Sequence, residues 1–535
     1  MSFKKIQSIF LLIGGVFCSA NLIAQEIDSA FIDVNYVRKS NAWLSSENPA
    51  GLTTFILPQI SIAQLYLQKN DGNFKNFHQS NNSYTYGLNA ASISRLNKKV
   101  VFSGSFLYDN FNGKNMGGSM FMDPYKNPFD VVETDDANKG TKQQERYQLS
   151  AGVGAQLTSK FAIGGKIDYQ AANLAKMKDL RHVNKLLDIN AAIGGLQHLG
   201  KVSIGVNYTY LRRIESVNFR TNGNTDQIYL SLVSFGSFYG RTERFDKSGY
   251  TNGEKTRPVA NIGHGTSLQI NVDINPSTKF LSEFSYQNKK GSYGLNGSAD
   301  FALSEHEGTQ FRYSGILSIT NNNNQHILKV DAQLDNLTNW ENIYRDATTP
   351  GGVTRTVYYG KSEMFLRDIT SVSLGYTKFA KIINNHPAWT ITADANYFRR
   401  QQSTTIYPFY RDQNLDSYQL SAGASRNIFK SRTRYSLGLK AAYGAGSGTE
   451  KIDGLLATPS STQQSPYSTD LYLNQEFEYF TKPRASINID FQYTRVAKNN
   501  LTPYLKVDYS FTKAFDTEYL GTSFGIFGAT VGCNF

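Results

Sequence analysis

The chain ends in GIFGATVGCNF, residues 525–535, and this alternating stretch decides the fold. Reading back from Phe535, every second residue is apolar or small, while the residues between them are mostly small or polar. A period of two gives a β-strand one apolar face. An edge strand of a soluble sheet would alternate in the same way, but a final strand that ends on an aromatic residue is typical of bacterial outer-membrane β-barrels.

The start of the chain has the pattern of a secretory signal peptide, which we assign to residues 1–25. Lys4 and Lys5 precede an apolar run at 9–17, which is too short to cross a bilayer core that takes roughly 20 residues to span. No later apolar run reaches that length, and the mean hydropathy is −0.41. The chain therefore either remains free outside the cytoplasm or enters a membrane as strands, and its 13% aromatic content favours the membrane.

The net charge of +12 has a different meaning in an exported protein than in a cytoplasmic one. Export excludes nucleic acid as the partner, and the basic residues are expected to face lipopolysaccharide phosphates or the lumen of a barrel. The predicted partners are outer-membrane lipid, lipopolysaccharide and the barrel-assembly machinery, for which Phe535 is the predicted recognition residue. No cofactor is predicted.

Alternating segments recur along most of the chain, for example at 147–155, 161–169 and 202–210. In residues 485–493 the face opposite the apolar one is strongly polar and consists of Ser486, Asn488, Asp490 and Gln492. A sheet with two such different faces needs two solvents, and a barrel supplies lipid outside and water inside.

The lengths of the connections also indicate a barrel, because short and long ones alternate as periplasmic turns and outer loops do. Short connections are predicted near 158–159, 275–277 and 481–483. Long polar connections are predicted at 109–145, 211–265, 335–363, 399–416 and 445–467. We predict an all-β fold, a single transmembrane antiparallel barrel over residues 54–535 with about 18 strands in a range of 14 to 18. The alternation fails after about residue 480, so we expect an error in the strand map near 480–520.

Residues 26–53 precede the first predicted strand, which begins near Gln59, and include NAWLSSENPAGL at 41–52. The segment 48–52 resembles the N-terminal hatch of FadL-type outer-membrane transporters, and the whole layout resembles large Bacteroidota barrel proteins of unassigned function. In the FadL-type family the hatch lies inside the barrel and gates the passage of hydrophobic compounds. The resemblance implies a lumen-inserted hatch made of Trp43, Asn48, Pro49, Ala50, Gly51 and Leu52. The alternative is a tail that caps the periplasmic mouth.

The same segment argues against a TonB-dependent receptor, which would carry a far longer plug domain.

Catalytic and metal-binding residues are not predicted, because the seven histidines include no paired zinc spacing. His326 is expected on a strand at the membrane interface, and His306 in an outer loop that is more plausibly solvated than cation-binding.

Two predicted outer loops have compositions that could bind a ligand. The first contains Met116, Met120 and Met122, whose thioethers suit Cu(I), followed by acidic residues that suit hard cations. We favour a pliable apolar loop and a hydrated acidic segment over metal binding. The acidic residues are Asp130, Glu133, Asp135 and Asp136.

The second loop, 211–265, mixes arginines with aromatic residues, a combination that suits sugars, anions or a partner surface. A solvated loop is the alternative, and the part at 228–239 is apolar enough to fold into the lumen. The candidate recognition residues are Arg212, Arg213, Arg220, Arg241, Arg244, Tyr229 and Tyr239.

The sequence predicts an outer-membrane barrel that moves a small solute through its lumen, gated by residues 26–53 and by the long outer loops. The competing interpretation is a barrel that transports nothing and anchors or binds a surface or periplasmic complex, with a lipoprotein as one candidate partner. An enzyme is a third and less favoured class, since no local pattern places a nucleophile beside a base.

Overall fold

The computed structural model describes residues 31–223, 226–245, 249–253, 256–297, 300–348, 352, 354–497 and 501–535. The predicted signal peptide and residues 26–30 of the predicted hatch lie outside this part of the chain. Within it, no helix is both long and apolar enough to cross a bilayer.

The described chain consists mainly of strands, joined by two α-helices and four short 3₁₀ helices. In chain order, β1 to β22 are Gln59–Gly72, Asn82–Arg95, Val100–Met116, Asp130–Glu133, Gly140–Gln156, Phe161–Lys176, Arg181–Leu199, Val202–Arg220, Leu230–Gly236, Tyr239–Arg244, Arg257–Asn275, Thr278–Gly297, Asp300–Asn321, Asn324–Thr348, Thr354–Ile383, His386–Ile406, Phe409–Lys430, Thr433–Leu455, Tyr467–Ser468, Arg484–Arg495, Thr502–Ala514 and Ser523–Asn534. The α-helices are Val34–Ser40 and Asp470–Thr481, and the 3₁₀ helices are Ala42–Ser45, Pro49–Thr54, Pro124–Lys126 and Asp136–Asn138.

Eighteen of these strands form one closed antiparallel barrel. Each barrel strand pairs with the next one along the chain, and β22 closes the ring on β1, where Leu65 lies opposite Val531. The predicted all-β antiparallel barrel of about 18 strands is therefore confirmed. The remaining strands form a separate sheet in the order β19, β10, β9 and β4.

The outer face of the barrel is apolar and the inner face is polar. Leu65 and Val531, which share a face because they are paired, are 61% and 60% exposed. Exposed tyrosines end this apolar band on many strands, as interfacial aromatic girdles do. They include Tyr86, Tyr147, Tyr169, Tyr208, Tyr286, Tyr397, Tyr418 and Tyr443. This exterior is what a lipid bilayer requires of a barrel, and it is the architecture of outer-membrane proteins.

The two ends of the barrel differ in their connections. One end has the first residue of β1, Phe535 and turns as short as 200–201 and 276–277. The other has the long connections 117–139, 221–256 and 456–483. Since short turns are periplasmic in outer-membrane barrels, we call the first the periplasmic end and the second the outer end.

The predicted loops at 335–363 and 399–416 are wrong, because strands continue through them. β14 and β15 remain paired from Gln325–Phe379 to Thr348–Thr354, with register shifts at Asn339/Trp340 and Ile343/Tyr344, and only residues 407–408 join β16 to β17. Beyond the apolar band both faces of a strand meet water, so the alternation of hydrophobicity ends while the backbone ladder continues. The strands consequently vary in length, from 12 residues in β22 to 30 in β15.

The predicted short turn at 481–483 is also wrong. These residues end the helix Asp470–Thr481 and the long connection 456–483, so they lie at the outer end. β20 therefore runs from the outer end to the periplasmic end. With this direction, short and long connections no longer fail to alternate after residue 480. The expected error in the strand map near 480–520 is thereby located.

The long connections fold back over the outer mouth of the barrel. Val131, Val233 and Phe235 of the small sheet are buried against lumen-facing wall residues such as Val217 and Phe219. We call residues 73–81, together with the described parts of 117–139, 221–256 and 456–483, the cap. The fold thus places a packed apolar core inside the outer mouth.

Candidate functional site: a lumen closed at both ends

The chain ahead of β1 forms three short helical turns inside the barrel, and we call residues 31–58 the plug. Each turn starts at a side-chain cap. The Asp33 carboxylate accepts from the backbone N–H of Asn35 at 2.9 Å, the Asn41 carbonyl from that of Trp43 at 3.1 Å, and Asn48 from that of Ala50 at 3.0 Å. Such caps satisfy helix N–H groups that would otherwise lack partners, so the polar residues of the plug order it locally.

Asn48 fixes the plug to the barrel wall and is only 2% exposed. Its Nδ2 donates to the backbone carbonyl oxygens of Gly195 at 2.9 Å and Val206 at 3.3 Å, and to Gln269 Oε1 at 2.9 Å. Because Oδ1 of the same side chain caps the turn Pro49–Thr54, one residue joins the plug to three barrel strands.

Charged groups add a second attachment next to Asn48. The backbone N–H of Glu47 donates to Glu283 Oε1 at 3.2 Å, and the Glu47 carboxylate pairs with Arg312 at 2.5 Å. Gln269 connects both attachments, since its Nε2 donates to Glu283 Oε1 at 3.2 Å. A continuous polar network therefore ties the plug to five barrel strands, β7, β8, β11, β12 and β13.

The wall beneath the plug is lined with glycine. A β-carbon on Gly164 would lie 2.4 Å from the Ala50 backbone nitrogen, and one on Gly194 would lie 2.3 Å from Asn48 Oδ1. Glycine inside a strand permits this close approach of another backbone. We call the lumen-facing set that contacts the plug the glycine wall, which comprises Gly152, Gly154, Gly164, Gly194 and Gly205.

All six residues of the predicted hatch lie inside the barrel. Trp43 and Ala50 are buried with Leu196 and Leu281 of the wall, and Leu52 contacts the glycine wall. The others are Asn48, Pro49 and Gly51, which are buried. The plug runs to residue 58, since β1 begins at Gln59, slightly beyond the predicted boundary at 53.

The opposite side of the plug packs on the first strands of the barrel. Val37 and Phe55 form an apolar cluster with Ile60, Ile93 and Val101. The plug therefore spans the lumen from β1–β3 to β5–β13 near its periplasmic end. Between the plug and the β2–β3 wall remains a cavity of about 140 Å³.

At the outer end, a buried ion pair joins the cap to the wall. Arg400, which faces the lumen from β16, donates to Glu476 of the cap helix at 2.6 and 3.1 Å, and both side chains are 4% exposed. Arg400 also donates to Gln413 Oε1 at 2.9 Å. Since two charges are removed from water together, their mutual pairing is what makes this burial tolerable.

A second buried carboxylate organises the cap. Glu478 accepts hydrogen bonds from the backbone N–H groups of Glu518, Tyr519 and Leu520 at 2.7 to 3.0 Å. These residues belong to the connection between β21 and β22, so the cap helix is tied to the far rim of the barrel. The outer mouth is covered by one connected layer.

The carboxyl of Asp130 in β4 accepts from Ser119 Oγ at 2.8 Å within the cap. Burial raises its pKa to about 7, against the opposing effects of that hydrogen bond and of Lys142. Burial likewise raises the pKa of Glu133 on the same strand, where Lys176 pairs with it. The folded cap therefore retains a proton that the open cap releases.

This proton makes a pH-dependent contribution to cap stability. Because the folded pKa lies above that of an exposed carboxyl, the contribution is complete below about pH 4 and is lost as the pH rises through about 7. Burial lowers the pKa of His78 to about 3. This histidine therefore makes the folded cap less stable as the pH falls below the ordinary pKa of a histidine, which is the opposite of the effect of Asp130. We therefore compare the rates of hydrogen exchange of residues 130–133 in Asp130→Asn and in the unsubstituted protein. We expect the ratio of the variant's rate to that of the unsubstituted protein to fall from pH 5 to pH 8, because only the unsubstituted cap loses this stabilisation. A difference that stays constant with pH would contradict this assignment.

The predicted recognition residues of the second loop do not come together on one surface. Arg213 faces the lumen and pairs with Asp188 at 3.1 Å. Arg241 pairs with Glu341 and lies over the rings of Phe235 and Tyr250. Tyr229 and Tyr239 are buried in the cap, and Arg212, Arg220 and Arg244 are exposed.

The residues considered for metal or cation binding contribute to the packing and hydrogen bonding of the fold. Met120 is buried in the cap core, and Asp135 caps the turn Asp136–Asn138. His306 lies on β13 rather than in a loop, buried with Nε2 at 2.5 Å from Asn261 Oδ1, because the strand continues beyond the apolar band. Among the described residues, no group of three or more His, Cys, Asp or Glu is placed to hold a metal ion.

The last residue closes the barrel seam. Its backbone N–H donates to the Ser61 carbonyl oxygen at 3.1 Å, and the Phe535 ring is exposed beside the lipid-facing residues of β22. Cys533 lies on the same lipid-facing side and is a free thiol.

Solved structures similar to this barrel include receptors and a channel. The ferric preacinetobactin receptor BauA of Acinetobacter baumannii is 7% identical with a TM-score of 0.39, over 90% of this chain and 80% of that one. The siderophore receptor PiuA of the same organism is 10% identical with a TM-score of 0.37, over 88% and 82%. The toluene transporter TodX of P. putida is 11% identical with a TM-score of 0.30, over 91% and 92%.

No protein with a curated description is significantly similar in sequence. A family model does match, over residues 49–535, which cover the plug from its Asn48-capped turn onward and the whole barrel. The plug and the barrel wall are thus matched as one unit, and the chain belongs to the family of unknown function DUF6850.

Proposed function

We propose that this protein is an outer-membrane channel through which a small solute passes under the control of the plug and the cap. The observation that carries the proposal is the closure of one polar lumen at both ends by separate folded parts of the chain. A barrel that served only as an anchor would need neither closure. The exposed ring of Phe535 supports a contact with the barrel-assembly machinery, and the apolar band supports outer-membrane lipid as its surroundings.

The walls of the lumen favour a solute that carries hydrogen-bonding groups. Lumen-facing Lys166 and Asp168 pair at 2.9 Å, as do Lys440 and Asp394, and all four side chains are partly exposed inside the barrel. Their partial exposure inside the barrel means that these charges are in contact with water. An aqueous path therefore runs between the plug and the cap.

The attachment of the plug to the barrel wall through Asn48 and Glu47 is polar, which suits it to reversible release. Water can replace each hydrogen bond of Asn48 and Glu47 when they separate from the wall, so each contributes only about 1 kcal/mol net. The cavity of about 140 Å³ lies beside the β2–β3 wall, and a second space of about 610 Å³, lined by periplasmic turn residues such as Pro276 and Ser277, lies on the periplasmic side of the plug. A small shift of the plug would join these spaces into one passage.

Deleting residues 26–53 from the mature protein is the direct test. We expect single-channel conductance in planar lipid bilayers to rise at least several-fold, because the deletion removes all three helical starts of the plug, including Asn48, but leaves every barrel strand intact. Variant and unaltered protein should show the same heat-dependent shift in electrophoretic mobility, which confirms a folded barrel. If neither protein conducts ions or releases solute from liposomes, transport is wrong and the competing interpretation, an anchor for a surface or periplasmic complex, takes its place.

A further inference from the structure

A separate cavity of about 550 Å³ lies inside the barrel directly beneath the cap helix Asp470–Thr481. Its walls are the lumen-facing residues of β1–β3, β5, β17, β18 and β20–β22, and its roof is the cap. We call it the chamber. Its volume falls within the range of about 300–1,000 Å³ that small-molecule sites occupy.

Aromatic rings line the chamber from two sides. Phe111 and Phe524 project from the wall, and Phe74, Tyr479 and Phe480 descend from the cap. The cap rings hold one another in place, since Phe74 stacks on Tyr479 with centroids 5.5 Å apart and Tyr479 meets Phe480 edge-on at 5.5 Å. Rigid aromatic faces of this kind are available to stack against a flat ligand.

Neutral hydrogen-bonding groups lie between the rings. The chamber is lined by Gln144, Gln419, Ser486 and Thr512, and within the described residues none of these four side chains has a hydrogen-bonding partner. Amides both donate and accept, and so do hydroxyl groups. The chamber therefore offers hydrogen-bond donors and acceptors, from amides and from hydroxyl groups, that no other described side chain uses.

The one charged group in the described lining is held by hydrogen bonds to the fold. Arg484 donates through Nη1 to the carbonyl oxygens of Tyr479 and Phe480, each at 3.2 Å. These carbonyls belong to the last turn of the cap helix, where the helix dipole also favours a cation. The guanidinium thus serves the helix end and is not free to bind an anion.

We infer that the chamber binds a neutral saccharide of one or two rings, an assignment that rests on the proposed channel function and names its solute. A sugar ring has an apolar C–H face that suits aromatic rings and hydroxyl groups that suit free amides. A hydrocarbon would leave the four polar side chains without partners, which costs free energy. An anionic ligand would have to compete with the end of the cap helix for Arg484, and a cationic ligand would meet no carboxylate in the described lining.

The test is saturation-transfer NMR and calorimetry on the full barrel, purified in a detergent without a sugar headgroup. The probes are glucose, galactose, mannose, maltose, cellobiose and lactose, with toluene and inorganic phosphate as comparators. We expect at least one saccharide to bind, and Phe111→Ala or Gln419→Ala to weaken that binding at least five-fold. The matched controls are Phe311→Ala on the lipid-facing side and Gln333→Ala on the lumen wall outside the chamber, which should bind as the unsubstituted protein does.

The outcomes separate this inference from the channel function. Binding of toluene or phosphate but of no saccharide overturns the inference, and so does saccharide binding that the chamber and control variants affect equally. Conductance that rises on plug deletion, without saccharide binding, leaves the channel standing and refutes the chamber assignment. Saccharide binding that the chamber variants abolish, in a protein that never conducts, supports the chamber and refutes the channel.

Discussion

Gly164→Ala is expected to release the plug from the barrel wall. The new β-carbon would lie 2.4 Å from the Ala50 nitrogen and the Pro49 carbonyl carbon, and both are backbone atoms that cannot rotate away. The turn Pro49–Thr54 must therefore move outward, and the three hydrogen bonds donated by Asn48 lengthen with it. The two amide hydrogens are shared among these three acceptors, so losing the contacts costs about 2 kcal/mol, which raises the undocked fraction about thirtyfold.

The neighbouring residue provides the control. Gly165 lies on the same strand but faces outward, and a β-carbon there would meet only the Ala192 carbonyl oxygen at 4.0 Å. Gly165→Ala changes the same residue type in the same strand without touching the plug, so it should behave as the unsubstituted barrel.

Two measurements check this prediction. Ion conductance should increase in Gly164→Ala and not in Gly165→Ala, and protease added from the periplasmic side should cleave residues 31–58 faster in the first variant only. Equal cleavage rates in the two variants would show that the glycine wall does not hold the plug.

Arg400→Met is expected to open the cap. The substitution keeps a long side chain but leaves the Glu476 carboxylate buried without its partner. Breaking a buried pair in this way typically costs about 3–5 kcal/mol, or about a 100- to 4,000-fold shift toward the open cap. Arg400 also lies over the rings of Tyr125 and Phe480, so the loss extends into the cap core. Proteolysis within the connection 456–483 should accelerate accordingly.

An exposed pair that joins the same helix to β18 is the matched control. Lys451 and Asp470 approach to 2.6 Å, but their side chains are 36% and 52% exposed, and such pairs contribute at most about 1 kcal/mol. Lys451→Met should therefore leave proteolysis nearly unchanged. The double variant Arg400→Met with Glu476→Met should recover much of the lost stability, since no unpaired charge remains. If the double variant is as labile as the single one, the ion pair is not what closes the cap.

The parts of the fold that the sequence predicts are those in contact with lipid. The strand 525–535 alternates because one side meets lipid and the other the lumen, and this contrast is visible in the residues themselves. The contrast between apolar and polar faces disappears in 335–363 and 399–416, where both faces of the strands contact water. The sequence therefore predicts loops where the structure has long hairpins. The helix Asp470–Thr481 has only a weak alternation of apolar and polar faces, so the sequence does not reveal it. Pro483, which follows this helix, is therefore interpreted from the sequence as part of a short turn.

The site was only partly visible in the sequence. Asn48 and its neighbours stood out because Asn-Pro-Ala-Gly is a compact turn, but the residues that receive it did not. Gly164 and Gly194 occupy lumen-facing positions in the middle of strands, where glycine indicates a close backbone approach, and this signal could have located the glycine wall. The chamber could not have been found, because Phe111 and Gln419 come together only when distant strands close into one ring.

The unequal lengths of the strands give the barrel an oblique rim. β14 and β15 extend about 3.3 Å for each residue beyond the bilayer, while β20–β22 and β1–β2 stop after 12 to 14 residues. The tall and short strands lie on roughly opposite sides of the ring, and the chamber is against the short side. The rim is therefore lowest beside the chamber, so in the proposed channel a solute would approach from that side along the cell surface, with the tall strands standing behind it as a screen.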